Sequence, residues 1–142
     1  MLLSGLAILA TALFAGAGTY VSVVEQPARM ACPIEVAIAE WRPSYRRATV
    51  MQASLAVLGT LAGIGAGISS GGAVWIVAAF LLSAVVPFTL IVMWPTNKRL
   101  EDPALDLSSA EARELLTRWG HLHAVRTATS VVALLLMLFA RF

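Results

Sequence analysis

Cysteine occurs once in 142 residues, at Cys32. A lone cysteine can form neither an intrachain disulfide nor a CxxC redox pair. That excludes the quinone-coupled thiol oxidoreductases, which are also small helical membrane proteins, and any structural zinc site with two or more cysteine ligands from this chain. Charge is scarce too: Asp, Glu, Lys and Arg make up 13%, about half the share in an average soluble domain. Apolar residues fill the gap, at 59% with a mean hydropathy of +0.83. A small soluble domain leaves much of its chain wet, so this composition argues against one and, more strongly, against disorder. The pI near 9.2 does not indicate a nucleic-acid partner, because the ten basic residues fall in two loops and at helix ends rather than along one stripe.

A bilayer core about 30 Å thick is crossed by roughly 20 helical residues. Leu2–Val24, Ala48–Ile68 and Ala73–Trp94 are uncharged runs of that length. Thr127–Ala140 is shorter and follows His121, His123 and Arg126, and it predicts a fourth span over 121–140 with polar first turns. Backbone groups in lipid are satisfied only internally, so the expected fold is all-α: a four-helix transmembrane bundle forming one integral membrane domain over residues 1–142. Ala15-Gly16-Ala17 has the form of a signal-peptide cleavage site, but no Lys or Arg precedes the run and Val21–Val24 continue it, so the segment reads as a retained span.

Eight basic residues lie in loop 1 (25–47) and loop 3 (95–120), none in loop 2 (69–72), and Arg141 alone opposes them. The positive-inside rule then puts loops 1 and 3 in the cytoplasm and both termini outside. In loop 1, Ile34, Ala37, Ile38 and Trp41 repeat at helical spacing between Pro33 and Pro43, which fits either a two-turn helix lying in the membrane interface or a tight loop. In loop 3, Ser108-Ser109-Ala110-Glu111 fits a capping box and Glu114–Arg118 an i, i+4 ion pair, so the fourth helix is expected to start there as an amphipathic extension. Gly59, Gly63 and Gly67 form a doubled GxxxG stripe, open to another helix of the bundle or to a second protomer.

At 1.5 Å per residue, Tyr20, Gln52, His123 and Arg126 all lie roughly 21–27 Å from the outer ends of their helices, just inside the cytoplasmic boundary. Glu25, Thr96 and Asn97 fall just beyond it. Trp119, His123, Arg126 and Thr127 share one helix face, which His121 does not. Ionisable groups in a span face the bundle interior or snorkel to the interface, and four helices contributing to one layer favours a polar pocket. His123 suits proton transfer, as does Glu25, which can pair with Arg29 at i+4 or with Arg126 across the bundle. Arg126 and Asn97 suit stabilisation of an oxyanion. Tyr20, Gln52, Trp119 and Thr96 complete the expected binding wall. Both histidines sit on one helix, which opposes a bis-His haem, and Glu25 with His123 falls short of three metal ligands, so no metal or cofactor is expected.

Four blocks carry a family resemblance: Phe14-Ala15-Gly16-Ala17 with Tyr20 and Glu25-Gln26-Pro27-Ala28-Arg29; Trp41-x-Pro43-x-Tyr45-Arg46-Arg47-Ala48; Pro87-Phe88-Thr89 with Pro95-Thr96-Asn97; and Arg118-Trp119-x-x-Leu122-His123-x-Val125-Arg126-Thr127. In this order they resemble the anthrone oxygenase-like family of small integral membrane proteins, first named as a domain of unknown function. The resemblance implies a four-helix fold and, from fungal members, oxidation of anthrones to anthraquinones by molecular oxygen. It makes a cofactor-independent oxidoreductase the expected enzyme class, with a small lipophilic aromatic substrate entering from membrane lipid. Bacterial members mostly lack an assigned substrate, and the compact Ala- and Arg-rich chain points to a bacterial inner-membrane protein. The competing expectation is a non-catalytic accessory or ligand-binding subunit.

Overall fold

The computed structural model describes residues 1–70 and 72–141; Gly71 of loop 2 and Phe142 lie outside them. Four helices, α1 (Leu2–Met30), α2 (Ile34–Ser70), α3 (Ala73–Glu101) and α4 (Ala110–Arg141), are each long and apolar enough to cross a membrane. No strand occurs among the described residues. The protein is a multi-pass membrane protein, as its uncharged runs require. Each helix packs on its sequence neighbours, and α1 closes the ring against α4. We call the end that carries the α1–α2 and α3–α4 connections proximal and the other end distal.

The helices overrun the membrane at the proximal end. A 37-residue helix is about 55 Å long, well beyond a 30 Å hydrocarbon core. Loop 1 therefore shrinks to three residues, Ala31–Pro33, and loop 3 to Asp102–Ser109. This corrects the expectation of an interfacial helix or loop between Pro33 and Pro43. Pro43 lies inside α2 without ending it, although an interior proline costs about 3 kcal/mol. The offset is burial: Ile34, Ala37, Ile38 and Trp41 pack against Leu100, Leu105, Leu116 and Trp119 in a proximal core. The apolar stripe that resembled a membrane-surface face is a protein-facing one. Arg42 closes the C-terminus of α3, donating to the Leu100 and Asp102 carbonyls at 2.9 Å each.

The α4 cap differs by one residue from the capping box. Ser109 Oγ accepts the Ala112 N–H at 3.1 Å, while Glu111 pairs with Arg99 at 2.7 Å rather than reaching back to Ser108. Glu114 and Arg118 both stay exposed and form no ion pair; the charge pairs here run through Arg99, to Asp102 and Glu111. The Ala104 N–H, with Arg99, holds the Asp102 carboxyl below its ordinary pKa.

The distal half is packed by small residues. Ala7, Ala62, Ala66, Ala78 and Met137 form its core with Trp75. The glycine stripe of α2 faces inward: a Cβ on Gly59 would meet Leu82 Cδ2 at 2.7 Å, and one on Gly67 would meet Ile76 Cδ1 at 2.5 Å. A Cβ on Gly63 would stand 3.1 Å from Ala79 Cβ and 3.2 Å from Met137 Cε. Of the two partners open to this stripe, helices of the same chain fill the face.

Candidate functional site

Above the middle core layer of Phe14, Ala56 and Val85, the proximal half of the bundle encloses a cavity of about 150 Å³. One water needs about 10–15 Å³ on this scale, so there is room for more than a trapped solvent molecule. Its lining is mostly apolar. Ala53 of α2 and Leu90 of α3 line it and are also exposed on the outside of the bundle, so the cavity opens between these two helices.

One wall is aromatic. Tyr45 stacks on Trp41 with centroids 4.6 Å apart, Trp41 meets Trp119 edge-on at 5.7 Å, and Trp119 lies 4.8 Å from the His123 ring. The i, i+4 spacing of Trp41 with Tyr45 and of Trp119 with His123 puts each pair on one helix face. The indole N–H groups of Trp41 and Trp119 are buried without an acceptor among the described residues.

Arg126 enters from α4. Its Nη1 donates to Thr89 Oγ1 at 3.1 Å and its Nη2 to Gln52 Oε1, and its guanidinium lies 5.5 Å from the Phe14 ring centroid. Both polar partners are neutral, and Nε is buried with none. Thr89 can accept from Arg126 because its own proton goes to the Val85 carbonyl, 2.7 Å away. Thr89 sits in a π-helical turn, Phe88–Met93, directly after Pro87; a second such turn, Val21–Glu25, lies in α1. Turns of this kind interrupt the i→i−4 ladder and occur often at functional sites.

Glu25 also lines the cavity, but it is paired with Arg29 at 2.5 Å and accepts from Ser44 at 3.3 Å. Of its two possible partners the structure selects Arg29, not Arg126. Arg29 is itself a buried hub, with Glu40 at 2.5 Å, Gln26 at 2.8 Å and the Trp119 ring 5.8 Å from its guanidinium. The i, i+4 spacing pairs Arg29 with Glu25, while its contact with Glu40 is set by the fold.

Of the expected site residues, Glu25, Gln52, Trp119, His123 and Arg126 meet at the cavity, and His121 is exposed as expected. Three do not reach it. Tyr20 is 58% exposed: it lies about 200° round α1 from buried Gly18, so it faces lipid. Thr96 and Asn97 are buried at the proximal end of α3, outside the cavity wall. The Asn97 amide has no hydrogen-bond partner among the described residues. Missed were Trp41 and Tyr45, whose spacing was visible, and Thr89, which stood only in a family block. Among the described residues no three His, Cys, Asp or Glu side chains converge as a metal site would need.

No solved structure matches this chain. One curated protein, the anthrone oxygenase tpcL of Aspergillus fumigatus, is 46% identical over 56 residues, covering 37% of this chain and 34% of that protein. The match thus spans about a third of the relative's length. The anthrone oxygenase family itself matches over residues 41–136, a stretch that includes Gln52, Thr89, Trp119, His123 and Arg126 and leaves Glu25 and Arg29 outside. With more than half its length aligned to that family, including most of its cavity wall, this chain belongs to the anthrone oxygenase family.

Proposed function

We propose that this protein is a cofactor-independent oxygenase of the bacterial inner membrane, oxidising a lipophilic, anthrone-like phenolic substrate with molecular oxygen. The orientation that goes with it puts the proximal end in the cytoplasm and both termini outside, on the charge asymmetry of the loops. One observation carries the reading: the cavity is apolar and aromatic-walled, yet it holds an uncompensated guanidinium and surplus donors. Such a wall suits a flat ring system whose oxygens accept hydrogen bonds and gain negative charge during reaction. Glu25, the one carboxylate on the wall, is already engaged by Arg29 and Ser44, which leaves His123 as the base.

In this mechanism substrate enters between α2 and α3. His123 Nε2 takes a proton from the methylene carbon between the rings. The electron pair delocalises onto the keto oxygen, and Arg126 stabilises that oxyanion. The anion is the reductant and O2 the oxidant: a carbon–oxygen bond forms and leaves a peroxide anion, to which the imidazolium returns the proton. The hydroperoxide then loses water, its O–O bond breaking as the carbon's remaining hydrogen leaves as a proton. One oxygen atom stays as the new carbonyl and the other departs as water. Asn97 takes no part.

The test is oxygen uptake and anthraquinone formation by the purified protein in nanodiscs supplied with an anthrone. Turnover by the wild-type chain, reduced in His123→Ala and in Arg126→Ala, is the expected result. Equal turnover in all three removes these residues from the chemistry. Absence of turnover across a set of anthrones, with a protein partner co-purifying in stoichiometric amount, replaces the enzyme by an accessory subunit.

A further inference from the structure

The π-helical turn of α1 delivers a hydroxyl to the back of the His123 ring. Ser22 Oγ lies 3.1 Å from His123 Nδ1 and 3.1 Å from Thr127 Oγ1, and Thr127 Oγ1 lies 3.5 Å from the same Nδ1. Thr127 also donates its own proton to the His123 carbonyl at 3.0 Å, a turn below it on α4. The approach depends on Gly18, one turn before Ser22: a Cβ there would stand 2.8 Å from Thr127 Oγ1. His123 and Thr127 are buried, 5% and 8% exposed, and Ser22 is half-buried.

The protons in this cluster can be counted. With the Thr127 proton committed to the carbonyl, Thr127 Oγ1 is an acceptor, and the Ser22 hydroxyl is the only O–H that can fill that contact. Ser22 then has no proton for Nδ1, so the 3.1 Å contact between them is filled only if Nδ1 carries a hydrogen and donates it. In the reverse arrangement Ser22 donates to Nδ1, and either two acceptor oxygens face each other unbridged or Thr127 gives up the carbonyl. The first arrangement makes three hydrogen bonds and the reverse at most two, the His123 carbonyl keeping its helical N–H in both, so the first arrangement wins.

We propose that Ser22 and Thr127 are positioning residues that hold neutral His123 as the Nδ1–H tautomer, presenting the Nε2 lone pair to the cavity before substrate arrives. Ser22 does not line the cavity; it acts only through the ring. This deepens the assignment of His123 as base and rests on it for its catalytic meaning, while the tautomer itself is a property of the resting protein. It also explains why α1 and α4 approach closely at this level, where a larger residue than Gly18 would displace the Thr127 hydroxyl.

The experiment is nitrogen-15 NMR of the full chain in nanodiscs, labelled at histidine and carrying His121→Gln so that one imidazole remains. With the ring neutral, the expected spectrum has a protonated Nδ1 and an unprotonated Nε2. Ser22→Ala, and separately Gly18→Ala, shift the ring toward the Nε2–H form, whereas Thr127→Ser keeps the wild-type tautomer. With anthrone turnover as second readout, Ser22→Ala lowers kcat about tenfold or more with KM little changed, the pattern of a base in the wrong tautomer. An Nε2–H ring in the wild-type protein, or a tautomer that ignores Ser22→Ala, overturns the proposal. If the tautomer follows Ser22 but kcat does not, the relay stands and the assignment of His123 as base falls.

Discussion

The distal and proximal halves of this bundle use the same four helices for opposite purposes. Distally, alanines and glycines bring the helices into close contact: a Cβ on Gly59, Gly63 or Gly67 would stand within 3.1 Å of a neighbouring helix's side chain, and Ala7, Ala62, Ala66 and Ala78 fill the centre. Proximally, large aromatic side chains and hydrogen-bonded polar groups hold the helices around a cavity. Small residues give stability through backbone approach in lipid, where no hydrophobic force drives helix against helix. Polar groups at that depth cost free energy unless each finds a partner, and most here do. Among the described residues, Arg126, Trp41 and Trp119 carry unfilled donors on the cavity wall, while the unpartnered Thr60 hydroxyl and Asn97 amide lie off it; unfilled donors facing a cavity are what a binding site needs.

Substitutions separate the two roles. His123→Gln should cost most, about 10³-fold in turnover or roughly 4 kcal/mol, with the thermal midpoint in detergent nearly unchanged. Arg29→Met should act through stability instead. It leaves the partly buried Glu25 unpaired while Glu40, half in solvent, rehydrates, so about 3 kcal/mol is expected in denaturant unfolding, the low end for a broken buried pair. Arg126→Gln keeps a donor for Thr89 but loses the charge, and about 10²-fold in turnover with a smaller rise in KM is the expected loss. In the distal half, Gly67→Val meets Ile76 at 2.5 Å from its Cβ; overpacking of about 1–3 kcal/mol should lower the midpoint and leave kcat alone. Tyr20→Phe, on the lipid face, should change either quantity by less than about 0.5 kcal/mol. A distal substitution that abolished turnover without unfolding the protein would erase the distinction between the halves.

The amino-acid sequence by itself determined the number of spans, their helical form and the layer at which polar groups gather. Uncharged runs of membrane length leave the backbone no alternative to helix, and helical rise alone sets the depth of Gln52, His123 and Arg126. It also placed Trp119, His123, Arg126 and Thr127 on one face, since phase along an uninterrupted helix is fixed. Where packing competes with local signals, the sequence misled. Pro33 and Pro43 read as boundaries, yet burial of Ile38 and Trp41 in the proximal core carries α2 through the second proline. Asn97 and Thr96 read as site residues by depth, but depth does not say which way a side chain turns, and they are buried off the cavity wall. Only the tertiary structure decided that Glu25 belongs to Arg29, that the glycine stripe faces inward, and that Ser22 meets His123. Each of these is a contact between residues far apart in the chain or a choice among several partners, and such contacts follow from how the helices are rotated against one another, which no single helix encodes.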